Sequence, residues 1–266
     1  MVDNLLHQMY VIQTLKKIYI IRTWRIELSS YTNLQNNFYE KANALRQDNL
    51  YREAVSMYLN AILIDRNDAK SYFGLGICYK NLKNYQKAIK YFELAGNLKE
   101  DYFEAFYELG ICHQLEGIPC GAIKNFIKAI QINPESTEAI LQLGISHELC
   151  DENEIALMVY QKLIENSPEF LKAYEHKSSL LMKQGNYKEA LKILHKLLQS
   201  DSDYTSAYAG MGVCFEKLGE PSKAKRYYRK FLKLQPLSPQ TNFIKSRLEK
   251  LKTRHMAKCH NYIKSI

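Results

Sequence analysis

The pentapeptide LGICY at residues 75–79 returns as LGICH at 109–113, LGISH at 143–147 and MGVCF at 211–215, with starts 34, 34 and 68 residues apart. A fixed period of this length confines a chain to repeat architectures, in which each unit buries its apolar face against its neighbours. Rows of 34 from Gln35 run without a gap as 35–68, 69–102, 103–136, 137–170, 171–204 and 205–238. Position 20 of every row is alanine: Ala54, Ala88, Ala122, Ala156, Ala190 and Ala224. Position 8 is small in every row: Ala42, Gly76, Gly110, Gly144, Ser178 and Gly212. Position 4 is large (Phe38, Tyr72, Phe106, Ile140, Tyr174, Tyr208), and so is position 24 (Tyr58, Phe92, Phe126, Tyr160, Leu194, Tyr228).

These spacings predict two helices per row. Positions 4, 7, 8 and 11 share one face of a first helix, and positions 20, 24 and 27 share one face of a second. Glycine inside a helix costs about 1 kcal/mol against alanine, so its recurrence at position 8 asks for a packing reason. Small residues at 8 and 20 let the two helices approach, with the large side chains at 4 and 24 filling the space around the contact. The prolines agree with this frame. Pro119 and Pro221 stand at position 17, where a first-turn proline loses no helical hydrogen bond. Pro134, Pro168 and Pro236 stand at position 32 and stop the second helix, and Pro239 opens the segment beyond the last row.

A 34-residue helix–turn–helix unit with this pattern resembles the tetratricopeptide repeat. The resemblance covers residues 35–238. It implies an all-α fold, an α-solenoid built as a right-handed superhelix of stacked antiparallel helix pairs, with the first helices lining a concave groove. Residues 1–34 fall outside the frame and form a basic amphipathic segment, with Leu5, Met9, Ile12 and Tyr19 on one face. The segment is expected to pack as an extra helix on the first repeat or to lie in the groove, the first being favoured because a solenoid end needs covering. Residues 239–266 are expected to form a capping helix, with Phe243, Ile244, Leu248 and Leu251 as its apolar face, and a basic tail. Position 7 departs from its usual Leu or Met at Lys41 and Lys177, and each lysine is expected to snorkel.

Cysteine chemistry is not implied. Cys78, Cys112 and Cys214 share position 10, where cysteine acts as a small hydrophobe. The six cysteines include no CxxC pair, and they suit a reducing, cytoplasmic compartment. Leu5 to Leu28 is broken by Lys16, Lys17, Arg22 and Arg25, so it is no membrane span. No nucleotide-binding, hydrolase, kinase or zinc-protease motif is present, so neither an enzyme nor a cofactor is expected. His113 and His147, both at position 11, read as packed aromatic substitutes rather than metal ligands. The tail cluster of His255, Met256, Cys259 and His260 has soft-ligand spacing but lacks the second element a closed metal site needs.

What remains is surface. In the family, positions 2, 5, 9, 12 and 13 of the first helix tend to face the groove, and Tyr39, Phe73, Ile77, Tyr107, Ile111, Leu141 and Ile145 occupy positions 5 and 9. They are expected to form an apolar strip for a helical or apolar segment of a partner protein. The chain then serves as a scaffold, assembly factor or chaperone. Of the lysine, arginine and asparagine clamp by which some family members hold acidic chaperone tails, only Asn43 survives, so that activity is not carried over. The alternative lies at the other end. From Lys223 to Ile266, 13 Lys and Arg face the single acid Glu249, a net of +12 against +9 for the chain, which leaves −3 for residues 1–222. Lys223, Arg226, Arg229, Lys230 and Lys233 would present a basic surface to an acidic protein, or less favourably to RNA or anionic lipid.

Overall fold

The structure, a computed structural model, describes residues 31–251. The described residues form thirteen helices: α1 (31–47), α2 (Tyr51–Ile64), α3 (Ala69–Asn81), α4 (Tyr85–Leu98), α5 (Phe103–Leu115), α6 (Pro119–Ile132), α7 (Thr137–Leu149), α8 (Asn153–Asn166), α9 (Leu171–Lys183), α10 (Tyr187–Ser200), α11 (Thr205–Lys217), α12 (Pro221–Leu234) and α13 (241–251). The class is an all-α solenoid of consecutive helical hairpins. Among the described residues α1 already takes in Tyr31 to Leu34, ahead of Gln35. Most of the N-terminal segment, and the His255–His260 cluster, lie outside the described residues.

One turn is used six times. Asn49 (φ 61°), Lys83 (58°), Gly117 (78°), Asp151 (59°), Gly185 (80°) and Gly219 (78°) all stand at position 15 of their rows. Each adopts the left-handed conformation that ends a helix. The residue after it donates its N–H five residues back, as Ile118 does to the His113 carbonyl at 2.8 Å and Glu220 to that of Phe215 at 2.8 Å. The first helix is thus closed by the Schellman arrangement, and the second starts within a few residues.

The two helices of a hairpin are locked by a ring seated on a small residue. Contacts divide the chain into two units, one ending at Pro134 and the other starting at Glu135. In the first unit a Cβ added to Gly76 would lie 2.6 Å from the Phe92 ring, and one added to Gly110 would lie 2.6 Å from Phe126. In the second unit the same test at Gly144 meets Tyr160 at 2.4 Å, and at Gly212 it meets Tyr228 at 2.3 Å. Position 8 is therefore small because position 24 occupies the space a side chain would need. All six position-20 alanines are fully buried.

Within the second unit α13 closes the apolar end of the last hairpin. Ile244, Leu248 and Leu251 are buried in one cluster with Tyr228 and Phe231. Phe243 is 54% exposed, contrary to the sequence expectation. The spacing 244, 248, 251 defines the buried stripe, and Phe243 stands one residue, about 100° of helix, away from Ile244. Arg247 fixes the cap by donating from Nε to Glu216 at 2.8 Å, and the Tyr228 hydroxyl donates to the same carboxylate oxygen at 2.8 Å.

Candidate partner-binding surface

In the first unit the position-5 rings lean on the position-24 rings: Tyr39 meets Tyr58 edge-on at 6.1 Å, Phe73 lies 5.5 Å from Phe92, and Tyr107 meets Phe126 at 5.9 Å. Phe73 also lies 5.1 Å from the Tyr102 ring. Tyr39, Phe73, Ile77, Tyr107 and Ile111 are all half-buried. Each shares its area between the hairpin it supports and the surface. Asn43 is committed locally, since it accepts the Tyr58 hydroxyl at 2.6 Å. Lys80 and Glu108 pair at 2.6 Å on the same first helices, α3 and α5.

In the second unit Leu141 is only 5% exposed and belongs to the core, while Ile145 is half-buried. Farther along, positions 5 and 9 carry Glu175 and Ser179 on α9, then Ala209 and Val213 on α11. Where these side chains shrink a cavity of about 500 Å³ opens, walled by Glu175, Ser179, Met182, Ala209, Val213 and the exposed Phe243 of α13. Glu175 accepts the Tyr204 hydroxyl at 2.6 Å and the Ser206 hydroxyl at 3.0 Å. Burial, reinforced by the bond to Glu175, raises the pKa of the Tyr204 phenol, which stays a donor. The 34-residue pattern does not by itself reveal this cavity. Its signal was the interruption Lys177–Ser178–Ser179 together with the small residues two positions either side of Met211.

Lys177 does not reach this cavity. Its ammonium donates to Gln161 of α8, and burial lowers its pKa from the ordinary lysine value. Lys41, by contrast, is exposed. The position-11 histidines are held within their own hairpins. The His113 ring covers Gly121, with its Nδ1 2.9 Å from the Leu109 carbonyl, and the Nδ1 of His147 lies 2.6 Å from a Glu152 oxygen.

On α12, Lys223, Arg226, Arg229, Lys230 and Lys233 are all exposed. They are not equivalent. Lys223 pairs with Glu220 at 2.5 Å and lies over Phe215, and Lys230 lies over Tyr208. Arg226, Arg229 and Lys233 make no salt bridge among the described residues. Arg247 of α13 is spent on Glu216.

Two models of the tetratricopeptide repeat match the chain, one at residues 69–102 and one at 181–240. The first match has the bounds of the second 34-residue row. The helical hairpins, the recurring Schellman turn and the small-residue seats agree with these matches, which identify the chain as one that carries tetratricopeptide repeats. Similar solved structures include the C-terminal part of a repeat protein from Cytophaga hutchinsonii (TM-score 0.66, 18% identity, covering 74% of this chain and 79% of that one). PilW, a widely conserved type IV pilus biogenesis factor, is similar at TM-score 0.63 and 20% identity, over 79% of this chain and 98% of its own. YrrB, a repeat protein with an unusual peptide-binding site, is similar at TM-score 0.56 and 20% identity, over 71% and 97%. At these identities the likeness is one of fold. No curated protein sequence matches the chain.

Proposed function

We propose that the chain is a non-enzymatic protein-interaction scaffold, acting as an assembly factor or chaperone, that holds an apolar or helical segment of a partner along its first helices. The observation that carries this reading is the half-buried apolar set Phe73, Ile77, Tyr107 and Ile111 on α3 and α5, at the family's groove positions. Helix-in-groove docking fits such a surface, because apolar anchors recur at helical spacing on both partners. Ile145 on α7 and the six 34-residue rows as whole repeats belong to the same reading. A reducing, cytoplasmic setting belongs to the same reading, because six cysteines without a CxxC pair suit one. Among the described residues no helix is long and apolar enough to cross a membrane.

A photo-crosslinking residue placed at Ile77 or Ile111 is expected to capture a protein partner that the same residue at exposed Ile127 of α6 does not. With the crosslinking residue at Ile77, the double change Ile111→Asp and Ile145→Asp is expected to abolish the crosslink while leaving helicity unchanged. Equal capture from Ile127, or capture that survives the double change, overturns the reading.

The exposed Arg226, Arg229 and Lys233 favour a second surface for an acidic protein partner. Truncation after Ser238 would remove Ile244, Leu248 and Leu251 from the core, so the charge is better tested by Arg226→Glu with Arg229→Glu. That variant should weaken binding of an acidic partner and flatten its salt dependence. An unchanged salt slope would reduce the surface to solvation.

A further inference from the structure

We propose that the cavity between α9, α11 and α13 is a pocket for a basic side chain, arginine or lysine, of a partner protein. The proposal rests on the reading that the first helices carry the interaction face, and it names what one stretch of that face selects. Its volume of about 500 Å³ lies within the ordinary range of ligand pockets, roughly 300–1,000 Å³. It therefore has room for a long side chain and part of the backbone that bears it.

The chemistry of the wall is specific. Both donors to Glu175, the hydroxyls of Tyr204 and Ser206, are neutral. They orient the carboxylate without compensating its charge, and among the described residues Glu175 forms no salt bridge. One donor reaches each oxygen, and a carboxylate oxygen accepts more than one hydrogen bond, so both oxygens keep capacity for an incoming N–H. A negative charge held in a recess with apolar walls attracts a cation more strongly than one on open surface, because less water screens it. Met182, Val213 and Phe243 supply the apolar wall that the methylenes of arginine or lysine cover, while Ser179 offers a hydroxyl acceptor beside them. An acidic ligand is opposed by Glu175, so the pocket selects the opposite charge to the lysine and arginine clamp of chaperone-tail binders.

The test uses the full chain with 13C-methyl-labelled methionine, reading the Met182 methyl resonance. The probes are acetyl-leucyl-arginine amide and its citrulline counterpart, which has the same shape without the charge. The arginine probe is expected to shift Met182 with about tenfold higher affinity than citrulline, the ratio a single charge-assisted hydrogen-bonded contact supplies. Glu175→Gln should bring the two probes together. Val213→Trp, which fills the pocket and keeps the charge, should abolish both responses in a chain whose melting is retained, and it carries the test if Glu175→Gln does not fold. Equal response to the two probes in the unaltered chain, or an arginine preference that survives Glu175→Gln, overturns the proposal. Neither result bears on capture at Ile77 and Ile111, so the two readings fail separately.

Discussion

A single methyl group separates the repeat from a clash. Gly212 sits inside α11, where alanine would gain about 1 kcal/mol of helix propensity. Yet its Cβ would fall 2.3 Å from the Tyr228 ring, and that ring is fully buried and tied through its hydroxyl to Glu216. Overpacking of this kind typically costs about 1–3 kcal/mol, so the close contact outweighs propensity. Gly212→Ala is expected to lower stability by about 1–2 kcal/mol in urea titration. The same pairing explains a regularity at position 12. Where position 24 is tyrosine, a charged side chain at position 12 meets its hydroxyl: Arg46 with Tyr58, Glu148 with Tyr160 and Glu216 with Tyr228. Where position 24 is Phe92, Phe126 or Leu194, position 12 holds Lys80, Gln114 or Met182, and no phenol needs a partner.

At the scale of the helix, the ends explain more than the middles. Five of the six left-handed turn residues are Asn, Asp or Gly, which enter that conformation readily, while Lys83 does not. A non-glycine residue held there costs on the order of 1 kcal/mol, partly offset because glycine makes the unfolded chain more flexible. Lys83→Gly is therefore expected to stabilise the chain by about 0.5–1 kcal/mol, read as a rise in urea midpoint at unchanged slope. Gly219→Lys should move it the other way, since Gly219 has a φ of 78° and open space around it. A matched pair of opposite signs would identify the backbone, rather than the surface charge, as the cause.

For the whole molecule, stability in a repeat protein is a sum of local terms, so the parts need not open together. Cys78 and Cys112 report on the unit ending at Pro134 and Cys214 on the unit starting at Glu135, and all three are fully buried. Burial raises their thiol pKa values from an ordinary 9.0 to about 11, about 12 and about 12. The folded thiols are therefore protonated at pH 8 and react only after opening. In mass-resolved thiol labelling against urea, Cys78 is expected to label before Cys214. Its cluster is a small one around Tyr58 and Leu75, whereas Cys214 belongs to the extended cluster that includes α13. Simultaneous labelling at all concentrations would make the chain one cooperative block. Because these pKa values are raised on folding, the associated stability is complete below pH 9 and is lost as pH rises through 11 to 12.

The period alone determined the class of fold, because a small residue at 8, an alanine at 20 and a large one at 24 can only be satisfied together by two helices in contact. Proline positions fixed where the second helices of two rows begin, and both do begin at Pro119 and Pro221. Position 15 was legible only in part. Asn, Lys, Gly, Asp, Gly and Gly share no side-chain chemistry, and their common backbone angle is set by the turn they close. The candidate surfaces were least legible. Periodicity says which face a residue occupies, but not how its area is divided. Leu141 turned inward and Phe243 outward, Arg247 spent its charge on a glutamate of another helix, and four modest residues at positions 5 and 9 opened a cavity. Those outcomes depend on neighbours 30 or so residues away, as Glu175 with Ser206 and Arg247 with Glu216 are. A linear pattern carries no term for such contacts, and only packing decides them.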